Sequence, residues 1–413
     1  MKFLYHILIS ISGKLFMLFG NFFGQKAHLF HTGQKKIFPY LQNCVNSQTN
    51  KIWFHVSSLG EYEQALPVIE KIKEKYPAYQ IVLTFFSPSG YEIIKDKSPA
   101  DCVSYLPIDT QNNVGKFLNI IQPATVFFVK YDFWPNYLFE LKKRNIPTYL
   151  ISGRFTAQHK YFKPWNAWLK KSLETFHHFF VQDTISFETL KKQGFSNLTI
   201  TGDTRFDRVY QIASQAMELN FVKQFKQNRL LLVAGSTWQN DEALLLPYIN
   251  QNNKAIKFIV APHQVDEKHI QNISRKLKKK YIRYSQINKK TNLAEYDVLI
   301  VDTIGLLNKI YRYADIVYIG NGFGKSIHNI QEPAVYGNPI ITGPHIQKFK
   351  EAIDLQQLGG LMLIHNQKDL SEILDKLIDQ PELRQEKAGI TRKYAAQNIG
   401  AVDKIMDFLQ DRL

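Results

Sequence analysis

From Ile52 onward the chain alternates short β-rich apolar runs with stretches of helical spacing, and it does so in two separate series. The first series contains IWFHVS (52–57), IVLTFF (81–86), ATVFFV (124–129), PTYLIS (147–152) and HHFFVQ (177–182). Between its first two runs, Ala65, Leu66, Ile69 and Ile72 recur at the spacing of one helix face. The rhythm pauses between Arg208 and Asn228. It then resumes with RLLLVAG (229–235), KFIVAP (257–262), YDVLIVD (296–302), DIVYIG (315–320) and NPIIT (338–342). Apolar strands separated by helices predict parallel sheets with helices on their faces. The 413 residues also exceed the roughly 250–300 that one core supports. The expected fold is α/β, with two Rossmann-like domains facing a cleft. Its segments are an N-terminal helix (1–25), a first domain (26–215), a second domain (216–385) and a last helical stretch (386–413) placed to cross back onto the first.

The N-terminal segment FLYHILISISGKLFMLFGNFF (3–23) is close to the ~20 apolar residues that span a bilayer, but Lys14 interrupts it. On a helix, Leu4, Ile7, Leu8, Ile11, Leu15, Leu18, Phe19 and Phe22 share one face, with His6, Ser10, Gly13 and Lys14 off it. That stripe suits a helix lying in the membrane interface. A core helix packed on its own domain is the alternative. A cleaved signal is opposed by Lys14 and by the lack of an A-x-A-like site. The formal net charge is +16, and Glu61 is the first acidic residue in the chain. A basic, apolar N-terminus favours an anionic membrane surface over nucleic acid as the partner, and no RNP-type motif occurs. Two cysteines, Cys44 and Cys102, offer no disulfide framework and no metal-ligand spacing, which fits a reducing compartment.

In open α/β sheets, ligands bind beyond the C-terminal ends of the strands, so the strand-to-helix loops carry the chemistry. HVSSLGE (55–61) brings Glu61 to a helix start, where the dipole is expected to keep it ionised. KYDFWPN (130–136) presents Lys130 and Asp132, with a local ion pair as the plainer reading. SGRFT (152–156) and GDTRFD (202–207) offer Arg154 and Arg205 for anionic groups. In the second series, Ser236 and Thr237 follow a strand, where hydroxyls and backbone N–H groups suit a phosphate, His263 stands in the next loop, and GNGFGKSIHNIQEPAVYGNPIITGPH (320–345) reads as a glycine-rich turn into a helix start, a phosphate cradle. No Walker A, H-E-x-x-H or G-x-S-x-G motif occurs, and no obvious metal site.

Taken in order, HVSSLGE, DFWPN, SGRF, GDTRFD, DTIG, HNIQEPA and GPH resemble the 3-deoxy-D-manno-octulosonic acid (Kdo) transferases of lipopolysaccharide assembly. The resemblance runs from the N-terminal anchor to about residue 355. It implies a two-Rossmann (GT-B) fold, CMP-Kdo as donor, a lipid A precursor as acceptor, and a place at the cytoplasmic face of the inner membrane. It maps the catalytic glutamate to Glu61 and the CMP site to Pro262, His263, Ile304, Gly305, Leu306, Asn329, Ile330, Gln331 and Glu332. Four positions depart from the family pattern: Lys130 replaces an acid, Arg205 a lysine, His263 an arginine and Leu306 an acid. The expected reaction is inverting glycosyl transfer. Glu61 acts as general base, the Asn329 helix start with Arg205 or Lys130 stabilises the leaving phosphate, and no metal or other cofactor is needed. The rival readings are a nucleotide-sugar epimerase of the same double fold and a basic, non-catalytic membrane-binding protein.

Overall fold

A computed structural model describes every residue except Asn21, Phe22, Ala216, Lys325 and Ser326. Phe22 of the apolar stripe, and two residues of the glycine-rich loop, therefore lie outside the described residues. The chain forms two compact units, Met1–Arg208 with Ile399–Leu413, and Val209–Asn398. The first unit thus ends at Arg208, where the sequence put the seam near residue 215, and the return begins at Ile399 rather than at 386.

The strands of the first unit are β1 (Lys51–Val56), β2 (Gln80–Phe85), β3 (Cys102–Tyr105), β4 (Pro123–Val129), β5 (Thr148–Gly153), β6 (His178–Val181) and β7 (Leu198–Ile200). They pair in parallel in the order β3-β2-β1-β4-β5-β6-β7. The second unit has β8 (Leu230–Thr237), β9 (Ile256–Pro262), β10 (Tyr281–Arg283), β11 (Val298–Ile300), β12 (Ile316–Ile319), β13 (Ile340–Thr342) and β14 (Leu361–Leu363), in the order β10-β11-β9-β8-β12-β13-β14. Both are doubly wound sheets. Strand order reverses between β1 and β4 in one and between β8 and β12 in the other, and these switch points are where such sheets bind ligands. The ten runs recognised in the sequence are the ten inner strands. The four strands it missed, β3, β7, β10 and β14, are the four sheet edges. Each is only three or four residues long and lies at an edge, with a neighbour on one side alone.

Burial explains why the inner strands read so clearly. Trp53, Val82, Val126 and Phe128 face one layer of helices, while Ile52, Phe54, Leu83 and Phe127 face the other, and all are buried. The second layer includes Val402, Ile405, Met406 and Leu409 of the helix Ala401–Leu409, so the returning segment completes the core of the first unit. Asp207 fixes that return by accepting the N–H groups of Gly400 (2.5 Å) and Val402 (3.1 Å).

The N-terminal helix, Lys2–Phe19, has two distinct faces. Tyr5, His6, Ile9, Ser10, Gly13, Phe16 and Met17 turn toward the first unit. Tyr5 Oη–H donates to buried Asp109 at 2.7 Å, and the Phe16 ring packs on Phe30 at 5.5 Å. The stripe Leu4, Ile7, Leu8, Ile11, Leu15, Leu18 and Phe19 points outward and is exposed. The core-helix alternative is therefore half right, because the less apolar face packs and the stripe does not.

Cys44 and Cys102 are joined by a disulfide that ties the end of the helix Gln25–Cys44 to edge strand β3, with Cα atoms 5.7 Å apart. The reading of two unpaired thiols is corrected here. Fifty-eight residues separate them in sequence, and only the packing of that helix on β3 brings them together.

Ile405→Ala should destabilise the first unit by ~2–5 kcal/mol, the usual cost of truncating a fully buried aliphatic side chain. Denaturant unfolding followed on the tryptophans of that unit measures it.

Candidate functional site

The first switch point gathers Glu61, Lys130 and Asp132. β1 ends at Val56, and the turn Ser57–Ser58 leads into the helix Leu59–Lys75. Ser58 is the N-cap, its hydroxyl accepting the Glu61 N–H at 3.4 Å. The Glu61 carboxylate folds back to accept the Ser57 N–H at 2.5 Å, and the residue is only 7% exposed. Burial pushes its pKa up to about 7. The Ser57 N–H opposes that rise, the nearby Asp132 adds to it, and Lys130 opposes it. The expectation that the helix start depresses this pKa is therefore overturned. Desolvation of a carboxylate outweighs the backbone donors.

Lys130 stands just after β4 with a left-handed backbone (φ 66°), its N–H bonded to the Ile151 carbonyl at 2.9 Å. Its ammonium lies over the Tyr131 ring, 5.1 Å from the centroid, and forms no ion pair with Asp132. Asp132 is held instead by the Trp134 indole N–H at 3.1 Å. The same N–H reaches His55 Nε2 at 2.9 Å, and His55 Nδ1 meets Thr84 Oγ1 at 2.9 Å. Because Nε2 accepts, Nδ1 carries the proton. Thr84 Oγ1 then receives both His55 Nδ1–H and Trp53 Nε1–H (2.8 Å) and passes its own proton toward the Phe54 carbonyl. This chain of donors fixes Trp134, and through it Asp132, from inside the sheet.

Arg205 opens the helix Arg205–Gln215 and grips Asp203 through Nε and Nη2, at 3.0 and 2.5 Å to Oδ2. Asp203 also accepts Gln64 Nε2–H at 3.3 Å, one turn beyond Glu61, and the Arg205 guanidinium holds its pKa down against burial. Arg205 is thus an orienting partner in a buried carboxylate network rather than a free cation beside Glu61. Arg154 follows β5 half-buried.

The second switch point lies between the loops after β8 and β12. Buried Asp241 ties them together by accepting the N–H groups of Trp238 (2.8 Å) and Asn321 (2.7 Å) and the Tyr318 hydroxyl (2.8 Å). His263, exposed after β9, stacks on Trp238 (4.8 Å, 22°) and on His328 (4.5 Å, 30°). Trp238 Nε1–H donates to His328 Nε2 at 3.0 Å, and burial lowers the pKa of His328 to about 4. His328 is therefore neutral at pH 7. Pro262 is the buried last residue of β9. Ile304 is strongly exposed, Gly305 has a left-handed backbone (φ 92°), and Leu306 caps a short helix. Asn329 Oδ1 accepts the Gln331 N–H at 2.9 Å, and its amide donates to Glu332 at 3.3 Å. Ile330 and Gln331 are buried, and both polar atoms of the Gln331 side chain lack a partner among the described residues.

Two expectations about this unit change. The Thr237 hydroxyl is committed to Glu242 (3.0 Å), leaving it no role toward a phosphate. Gly320 and Gly322 of GNGFG serve close backbone packing. A Cβ on Gly320 would stand 2.2 Å from the Ser236 carbonyl oxygen, and one on Gly322 would stand 2.3 Å from the Gly343 nitrogen. The helix that follows, Gln331–Val335, is only five residues long, so its dipole is small. Among the described residues, no group of three or more His, Cys, Asp or Glu is placed to hold a metal ion.

Residues 31–208, which hold Glu61, Lys130 and Arg205, match the family model described as 3-deoxy-D-manno-octulosonic-acid transferase (kdotransferase). A 3-deoxy-D-manno-octulosonic acid transferase of Haemophilus influenzae is 25% identical over 429 aligned positions, covering 100% of this chain and 99% of the relative. One from Aquifex aeolicus is 26% identical over 358 positions, 83% of this chain and 90% of the relative. These matches, one over the first unit and the others over most of the chain, support a place in the Kdo transferase family. Its members are glycosyltransferases, and the two doubly wound units are the GT-B fold. The fold alone does not decide this. The UDP-GlcNAc 2-epimerase of Neisseria meningitidis, solved with UDP-GlcNAc, superposes with a TM-score of 0.60 at 15% identity, over 88% of this chain and 100% of that one.

Sequence reasoning missed His55, Trp238, Asp241 and His328. Each stands in or beside a strand-end loop. The one available signal was Asp241, three residues beyond Trp238 at a helix N-terminus, the spacing of a capping acid. The aromatic stack had none, because it joins residues 238, 263 and 328 across three loops.

Glu61 should titrate near pH 7 by carboxyl NMR. Lys130→Ala should move that midpoint upward and Asp132→Asn should move it downward, since the first removes a stabilising charge and the second a repelling one.

Proposed function

We propose that this protein transfers Kdo from CMP-Kdo to a lipid A precursor, lipid IVA, in lipopolysaccharide core biosynthesis. The observation that carries this reading is Glu61, a buried carboxylate at a sheet switch point with a pKa of about 7. A base tuned near the working pH accepts a proton most effectively. The acceptor hydroxyl oxygen forms its bond to the donor's anomeric carbon while Glu61 takes the hydroxyl proton. The bond from that carbon to the phosphate oxygen breaks on the opposite face, its electron pair leaving with CMP, so the configuration inverts.

Lys130 supplies the positive charge near Glu61 in this reading, where most of the family has an acid. Arg205, already paired with Asp203, keeps Gln64 and the head of the Glu61 helix in register. CMP is assigned to the second unit, at Pro262–His263, Ile304–Leu306 and Asn329–Glu332. The flat Trp238–His263–His328 stack supports that assignment, because a pyrimidine stacks on such a surface. The leaving phosphate is stabilised by fixed cationic and N–H groups, with no metal or other cofactor in the scheme.

The membrane reading rests on the N-terminal helix. Its inner face is docked by Tyr5 and Phe16, and its outer face is an apolar stripe. A helix held along the protein surface in this way lies in the bilayer interface rather than crossing it. We place it at the cytoplasmic face of the inner membrane, where basic residues meet anionic lipid.

Glu61→Gln should lower transfer from CMP-Kdo to lipid IVA by about 10²–10⁴-fold with an unchanged circular dichroism spectrum; product masses read the reaction, and near-normal turnover would remove Glu61 from this role. For the native enzyme, kcat/KM should fall as pH drops below about 7, because protonated Glu61 cannot accept the hydroxyl proton. EDTA should leave the rate unchanged. Leu8→Glu with Leu15→Glu should release the protein from vesicles in flotation assays.

A further inference from the structure

Beside the N-terminal helix the first unit keeps an open groove of about 720 Å³. Its walls are that helix, the helix Gln25–Cys44 and the residues 108–113 that follow β3. Gly13 forms part of the floor, and its missing side chain brings the helix backbone close, since a Cβ there would stand 3.3 Å from Ile108 Cγ2. Met17, Phe38 and Ile108 give the floor an apolar strip, flanked by the neutral polar Ser10, Gln34 and residues 110–113.

The rim is cationic. Lys14 and Lys35 line it, and no Asp or Glu does. Both lysines are exposed, and neither has an acidic partner among the described residues. A third ammonium, that of Lys116, lies 4.3 Å over the ring of Phe38 at the groove's edge. An apolar strip and neutral hydrogen-bonding groups under a positive rim select an amphiphilic anion. A bare phosphate would leave most of the space empty, because grooves of ~300–1,000 Å³ match ligands of drug size or larger. The outward stripe of the helix, set in a bilayer interface, brings the groove mouth to headgroup depth. A lipid then reaches it by lateral diffusion without leaving the membrane.

We propose that this groove holds one anionic glycerophospholipid of the host bilayer, its phosphate between Lys14 and Lys35 and an acyl chain along Met17, Phe38 and Ile108. This rests on the reading of the N-terminal helix as membrane-associated, and not on the transfer chemistry.

The test is native mass spectrometry of the full-length protein in detergent, supplied with phosphatidylglycerol or phosphatidylcholine. One phosphatidylglycerol should stay bound per chain, and no phosphatidylcholine. Lys14→Glu with Lys35→Glu should cut retention at least ~10-fold, given the attraction of each lysine for anionic lipid. Lys26→Glu with Lys36→Glu makes the same charge change outside the groove and should retain the lipid. Equal loss in both double variants, or no lipid on the native protein, overturns the proposal. So does displacement by millimolar inorganic phosphate, which would mark a free-anion site, or one-for-one displacement by the lipid A precursor, which would make the groove an acceptor site. Vesicle flotation keeps the two readings apart. A protein that floats but retains no lipid loses the groove alone, and one that does not float loses the membrane reading as well.

Discussion

Asp109 is the interaction on which the first unit's working parts depend. It is fully buried, and its carboxylate accepts three donors: the Tyr5 hydroxyl at 2.7 Å and the N–H groups of Asn136 and Tyr137, each at 3.1 Å. Two of those donors are the free N–H groups at the start of the helix Pro135–Lys143, which has no side-chain cap of its own. The third is the anchor of the N-terminal helix. Burial pushes the pKa of Asp109 up to about 7, and all three hydrogen bonds pull against that rise. One carboxylate therefore joins the apolar helix to the element that carries Lys130, Asp132 and Trp134 in its preceding loop. A buried acid that has lost its donors is costly, so these segments stay docked together or separate together.

The second constraint is the switch point itself. Glu61 and Asp132 share a site because β1 and β4 are neighbours in the sheet although 66 residues lie between Val56 and Pro123. The strained positions follow the same geometry. Lys130, Ser152, Ser236 and Asn321 adopt left-handed backbones, and each stands at the C-terminal end of a strand or just past it. In the second unit Asp241 does for β8 and β12 what Asp109 does for the first, closing two loops on one buried carboxylate.

How much of this was legible depends on where each residue's partners lie. The inner strands announced themselves because both faces are covered, so nearly every position is apolar. Edge strands such as β7, with Leu198 and Thr199 half-buried and Ile200 exposed, carry no such pattern. Glu61 was readable from its loop and its place at a helix start, but its ionisation was not. The sequence shows the helix dipole next to Glu61 and cannot show the desolvation that outweighs it. The glycines of GNGFG suggested a phosphate cradle because a glycine needed for backbone contact looks the same in one dimension as a glycine needed for a ligand. Cys44 and Cys102 looked unrelated for the same reason: only the packing of a helix end on an edge strand makes them neighbours.

The return of residues 399–413 bears on how the protein is made. Ile405 and Leu409 are fully buried in the layer that also holds Phe54, Ile69 and Leu83. The ribosome adds them only after all of Val209–Asn398 has been translated. The first unit, which carries Glu61 and the apolar helix, therefore waits with one helix layer unfinished while the second unit is translated and begins to fold. During that interval the apolar surface of its sheet is open to chaperones and to the membrane. The half of the protein that emerges first is the half that is sealed last.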